Sequence, residues 1–188
     1  MSIIIAVLIN VILVQGSYGV TTQEWETIKQ ETKAIYAREL RGRNVPLRFS
    51  TPIYEESGIT YTLSNKEEAY YSWRDRLRKE GKKGIWLVVL PPVEDNGLRY
   101  IAGYARTTCF KDLNLAVVVV FLQSKNSYGD NRLLHSSYAI THELGHAMGA
   151  KHVDSMTIMH PNPLPWVTQY GALPFDIKSK REMRRCVG

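Results

Sequence analysis

Covalent cross-linking is scarce in this 188-residue chain, which carries two cysteines, Cys109 and Cys186. A disulfide-stapled miniature is excluded, and the length suffices for one domain with a core of its own. The pair fits one bridge in an oxidising compartment, or else two unrelated buried thiols. Charge of one sign is also in short supply. Lys and Arg exceed Asp and Glu by 24 to 18, a net charge of +6. The basic residues, Arg41, Arg74 and Arg185 among them, are scattered with no nucleic-acid-binding motif, so solvated faces account for them and nucleic acid is not an expected partner. Internal repeats, low-complexity tracts and long linkers are absent. An apolar content of 44% with 22% charged residues excludes a disordered chain. No apolar run is long enough for a stable membrane anchor.

One apolar run nevertheless stands out. Residues 3–14 (IIIAVLINVILV) carry no charge and are followed by Ser17 and Gly19, small residues at the two positions a signal peptidase reads. Residues 1–19 are therefore read as a secretory signal peptide, which makes the protein secreted and extracellular with one domain over 20–188. The alternative is a buried first strand. Beyond it, Trp25, Ile28, Thr32, Ile35, Tyr36 and Leu40 recur at helical spacing and predict a helix over 22–40. Val45 to Tyr54 reads as a strand made irregular by Pro46 and Pro52. Ser64 or Asn65 caps a second helix through Ala69, Tyr70, Trp73 and Leu77, ending at Gly81. Ile85–Leu90 and Ala116–Leu122 are continuous apolar runs, the pattern of strands buried on both faces. Residues 99–106 (RYIAGYAR) read as an edge strand. A helix over 133–149, an irregular proline-containing stretch and a last helix near 176–186 complete a mixed α/β sheet with helices packed on it.

The chemistry is concentrated in residues 142–152, HELGHAMGAKH. On a helix, His142 and His146 at i and i+4 leave the same face and can meet one ion. Gly149 suits a left-handed turn that ends the helix, and that turn can return His152 as a third ligand. Three nitrogen donors with an open position make a catalytic zinc site rather than a closed structural one. Glu143 sits beside the first ligand, placed to accept a proton from zinc-activated water and pass it to a leaving amine. No Ser/His/Asp arrangement is apparent, and His135 and His160 read as hydrogen-bonded or surface residues. Tyr170 is a candidate oxyanion donor, with a packed tyrosine as the alternative.

These residues resemble the metzincin zinc proteases. In that clan the extended motif is followed by a methionine turn beneath the metal, a role that falls here to Met159 in Thr157-Ile158-Met159-His160-Pro161, with Met156 the weaker candidate. Within the clan the chain is most similar to reprolysins (adamalysins), through Ile35-Tyr36, the segment around Trp73-Arg74, and IAGYARTTC before a valine-rich strand. The resemblance implies an α/β (α+β) metzincin fold. That means a mixed twisted sheet of four to five strands with an antiparallel edge strand, packed helices, and an active-site helix. It also divides the domain into an upper part, 20–149, and a small irregular lower part, 150–188, ending in a helix. It implies one catalytic zinc ion, an endopeptidase acting as a monomer on proteins or peptides, and substrate paired with the edge strand at Ile101, Ala102, Gly103 and Tyr104. It also implies a Cys109–Cys186 bridge, with Leu164 and Trp166 lining the specificity pocket. The pattern departs from reprolysins at Val153, which stands where they have Asp, the acid here being Asp154. The short stretch from His152 to Met159, which also lacks their cysteines, is nearer to matrixins, the alternative subfamily. A non-proteolytic zinc-binding protein on the same fold is the competing function.

Overall fold

The structure, a computed structural model, describes residues 6–15, 20–40, 46–56, 66–92, 103–124, 128–161, 163, 167, 169 and 172–187. Among the described residues six strands form one sheet: β1 (Val7–Gln15), β2 (Leu47–Phe49), β3 (Ile53–Glu56), β4 (Gly84–Leu90), β5 (Gly103–Ala105) and β6 (Leu115–Phe121). Their order is β2-β1-β4-β6-β5, with β3 also paired to β1. Every pairing is parallel except that of β5 with β6, which is antiparallel.

Parallel strands must be covered on both faces, and the sequence supplies for this the apolar runs of β1, β4 and β6. Ile9, Val11 and Leu13, Ile85, Leu87 and Val89, and Val118 and Val120 turn to one face, packed with Trp25, Ile28, Ile35, Tyr138, Ile140 and Leu144. Those partners come from α1 (Thr22–Glu39) and α3 (Arg132–Ala147). The alternate residues Ile12, Val14, Val88, Leu90, Val117, Val119 and Phe121 meet Ala69, Tyr70, Trp73 and Leu77 of α2 (Lys66–Lys79) on the other. The last helix, α4 (Ile177–Val187), begins after Asp176, whose carboxylate accepts from the Ser179 backbone at 2.9 Å. Among the described residues no helix is long and apolar enough to cross a membrane.

Two features differ from the sequence reading. The run assigned to a signal peptide supplies β1, an interior strand with Ile9, Val11 and Leu13 at 0% exposure, which is the strand alternative. The ambiguity is physical, because a strand buried on both faces and the apolar segment of a leader need the same uncharged composition. The strand expected over 45–54 is two strands, which together with β1 gives six among the described residues where four to five were expected. Pro52 has no N–H to give a ladder. Just before it, the Ser50 backbone donates to the Ile9 carbonyl at 2.9 Å and the Ser50 hydroxyl accepts from the Val11 N–H at 3.0 Å. The hydroxyl replaces one ladder bond, and β3 resumes beside Ile12. The candidate caps Ser64 and Asn65 lie outside the described residues.

Candidate metal centre

The centre is built at the C-terminal end of α3, where the helix is buried on all sides from His135 to Ala147. Tyr36 of α1 donates its hydroxyl to the Thr141 carbonyl at 3.0 Å, fixing the turn that precedes His142. The helix stops at Met148. Gly149, with φ of 87°, occupies the left-handed region that other residues enter at a cost. Its N–H bonds to the His146 carbonyl at 2.9 Å and that of Ala150 to the Gly145 carbonyl at 3.0 Å, the double closure of a Schellman end. The reversed chain brings His152 back over the helix.

Three Nε2 atoms then converge. His142 and His146 stand 3.1 Å apart, His146 and His152 3.0 Å, and His142 and His152 3.2 Å. Nitrogens about 2.0–2.1 Å from one ion in a near-tetrahedral arrangement lie about 3.3 Å apart, so the triangle has the size of a single zinc site. Its protonation state agrees. The Nδ1–H of His142 donates to the Ile158 carbonyl at 2.6 Å and that of His146 to the Ala150 carbonyl at 2.7 Å. Both rings therefore present an unprotonated Nε2 inward. Burial pushes the His142 imidazole down to about 3, with the neighbouring His146 acting in the same direction. It pushes His146 down to about 4, against the opposing hydrogen bond to Ala150. Lone pairs held this close without protons between them repel, and a divalent cation relieves that repulsion. His142, His146 and His152 form a group able to hold one metal ion, and the donor set is that of zinc.

The floor lies under the helix. Met159 is fully buried, whereas Met156 is 48% exposed, and it is Met159 that packs against the helix at Gly145. A Cβ at Gly145 would fall 2.7 Å from Met159 Sδ; the bare glycine is what lets the thioether lie against α3. Behind it, the Phe175 ring packs on Tyr36 at 5.5 Å and the Phe175 N–H donates to Glu39 at 3.2 Å. Burial alone would raise the Glu39 carboxyl, but hydrogen bonds from Arg38 and Lys180 hold it below the usual carboxylate range.

Glu143 is 6% exposed and is not one of the converging donors. Its side chain lies against β5, since a Cβ on Gly103 would meet Glu143 Cγ at 2.9 Å. β5 ends the strand order. Alternation turns Gly103 and Ala105 toward α3 and Tyr104 toward α2, where its ring meets Tyr70 at 4.9 Å. Ile101 and Ala102 lie outside the described residues, as do Leu164, Trp166 and Tyr170. Just past β5, Cys109 is bonded to Cys186 of α4. His135 is buried with Nδ1 2.8 Å from the Asn131 carbonyl and stacks on Tyr128 at 4.3 Å, a packed residue away from the triangle. Gly103 was expected only as part of the edge strand, and motif spacing did not single out Gly145 or Thr107, whose hydroxyl lies 3.2 Å from His146 Nδ1. The signals available were a glycine inside the zinc motif and the polar Thr107-Thr108 pair following an apolar strand.

No family model matches the sequence, and no curated protein matches it. Solved structures share its fold. Archaemetzincin from Methanopyrus kandleri superposes with a TM-score of 0.60 at 16% identity, over 96% of this chain and 95% of that one. Archaemetzincin from Archaeoglobus fulgidus, complexed with malonate, gives 0.54 at 14% over 95% and 99%. Metalloproteinase-II from Bacteroides fragilis gives 0.59 at 14% over 98% of this chain and 54% of that one, so the chain spans about half the length of the Bacteroides protein. The likeness is one of fold, a metzincin-like α+β fold.

Proposed function

We propose that the chain is a zinc-dependent endopeptidase that hydrolyses peptide bonds with Glu143 as general base and then general acid. The observation that carries this is the convergence of three Nε2 atoms within 3.0–3.2 Å beside a buried carboxylate that is not itself one of the donors. When bound, zinc polarises a carbonyl and lets water lose a proton near neutral pH. The protein's own part is to orient and to move protons. His142, His146 and His152 would hold the ion through their Nε2 atoms. Glu143, pressed between α3 and β5, takes a proton from the attacking water and gives it to the departing amine. The backbone of β5 offers its outer edge to an extended peptide, which adds as a further antiparallel strand, with Gly103 nearest the general base. The archaemetzincin and metalloproteinase folds support the same class.

Secretion is part of the proposal, supported by the Cys109–Cys186 bridge, since such bonds persist in oxidising compartments. The reprolysin-like assignment within the metzincins is also a proposal. Its support is the bridge from just past the edge strand to the last helix, while the short segment from His152 to Met159 supports the matrixin-like alternative. The test is cleavage of a peptide library by purified, zinc-analysed protein with and without a chelator. Glu143→Ala is expected to lose about 10²–10⁴-fold in turnover with zinc still bound, and His146→Ala to lose both zinc and turnover. Cleavage that survives chelation, or a Glu143→Ala rate equal to that of the parent, overturns the mechanism. Zinc uptake without cleavage of any library member leaves the non-proteolytic zinc protein in its place.

A further inference from the structure

We propose that Thr107 is a positioning residue for His146, and that its hydroxyl sets how tightly the site holds zinc. The inference rests on the zinc-site reading above and adds a residue from outside the motif. Thr107 Oγ1 lies 3.2 Å from His146 Nδ1, whose nearer partner is the Ala150 carbonyl at 2.7 Å. With Nε2 committed to the metal side, the remaining ring proton is on Nδ1, and it is shared between two oxygens as a three-centre bond in which the hydroxyl accepts. The two acceptors come from different parts of the fold, Ala150 from the turn after α3 and Thr107 from the segment that follows β5. Rotation of the imidazole about its Cβ–Cγ bond therefore sacrifices one of them in either direction.

The hydroxyl is delivered by a held segment. Ala105 is paired with Val118 in the sheet, the Thr108 N–H donates to the His146 carbonyl at 3.2 Å, and Cys109 is tied to Cys186. These contacts fix the backbone on both sides of residue 107 without help from its side chain. Thr107 is itself solvent-exposed and has no core packing to lose. A purely structural role would make valine, β-branched and of the same size, an adequate substitute. A positioning role makes the oxygen indispensable.

Partners that orient a ligating imidazole are worth about 10–100-fold in metal affinity. Because the Ala150 carbonyl remains, removal of the hydroxyl is expected to cost about threefold to tenfold, below that range. The experiment compares parent, Thr107→Val and Thr107→Ser by zinc competition against a chromophoric chelator, with apo-protein melting as the control for folding. Thr107→Val is expected to weaken zinc binding by that factor with melting unchanged, and Thr107→Ser to restore it. In the zinc-loaded protein the His146 Nδ1 proton should exchange faster with solvent in Thr107→Val than in the other two. Thr107→Val binding zinc within about twofold of the parent, or Thr107→Ser as weak as Thr107→Val, overturns the proposal. Failure of the parent itself to take up zinc is a separate result and overturns the metal-site reading on which it rests.

Discussion

A methyl group added at Gly145 has a sign that depends on whether Met159 sits where the structure places it. In an open helix interior, glycine to alanine stabilises by about 1 kcal/mol, since glycine loses more backbone freedom on folding. At Gly145 the new Cβ would stand 2.7 Å from Met159 Sδ, 3.3 Å from its Cε and 3.4 Å from Phe175 Cε1. Met159 is 0% and Phe175 2% exposed, so neither has solvent to retreat into, and overfilling such a site costs about 1–3 kcal/mol. Gly145→Ala alone should fall between neutral and about 2 kcal/mol destabilised. Met159→Ala alone removes a buried side chain and costs about 2–5 kcal/mol. In that background the obstacle is gone, and Gly145→Ala should recover its helix gain of about 1 kcal/mol. The coupling between the two changes is then about 1–3 kcal/mol. Urea unfolding of the four metal-free proteins, followed by far-UV circular dichroism, measures it. Additivity within about 0.5 kcal/mol, or a Gly145→Ala chain more stable than its parent, refutes the contact between helix and methionine.

Acid should destabilise the metal-free protein well before its carboxylates titrate. His142 and His146 are held down to about 3 and about 4 in the folded chain against an ordinary 6.5, so between these values the unfolded chain binds more protons. Their contribution is complete above about pH 6.5 and drains as pH falls toward 4 and then 3; equal urea midpoints at pH 7.5 and 5 would contradict it. The Cys109–Cys186 bridge closes a separation of 77 residues, for which loop entropy alone gives about 4.5 kcal/mol. Cys109→Ser with Cys186→Ser should lower the unfolding free energy by up to that amount, and an unchanged denaturation midpoint counts against it. Deleting residues 1–19 removes β1, which pairs with β2, β3 and β4. The shortened chain should lose its near-UV dichroism and cooperative unfolding, and a well-folded, zinc-binding 20–188 fragment would favour the signal-peptide reading.

The parts of the fold that sequence made legible are those in which local pattern and tertiary role coincide. β4 and β6 read as buried strands because two-sided burial demands continuous apolar runs, and α1 read as a helix because its core positions Trp25, Ile28, Thr32, Ile35 and Tyr36 repeat at helical spacing. Residues 3–14 were ambiguous for the same reason that β4 was clear, since an uncharged apolar run is all that either role requires. The division of 45–54 into β2 and β3 depends on what Ser50 does across the sheet, where its N–H reaches Ile9 and its hydroxyl takes the Val11 N–H. Composition carries no trace of that exchange.

At the metal centre, legibility follows distance along the chain. The helix face, the Schellman turn at Gly149, the returning His152 and the methionine floor all lie within residues 142–159, so their spacing alone encodes a three-nitrogen site. Glu143 was equally visible as a residue, but not its setting. Its side chain is confined by Gly103, whose missing Cβ would otherwise reach Glu143 Cγ at 2.9 Å and the Val119 carbonyl at 2.3 Å. Two residues past the end of the same strand comes Thr107, which meets His146. The edge proposed to receive substrate thus also abuts Glu143, the proposed general base, and leads into a partner of His146. A peptide that pairs with β5, as proposed, would meet backbone already fixed by pairing with β6 and by the Cys109–Cys186 bridge.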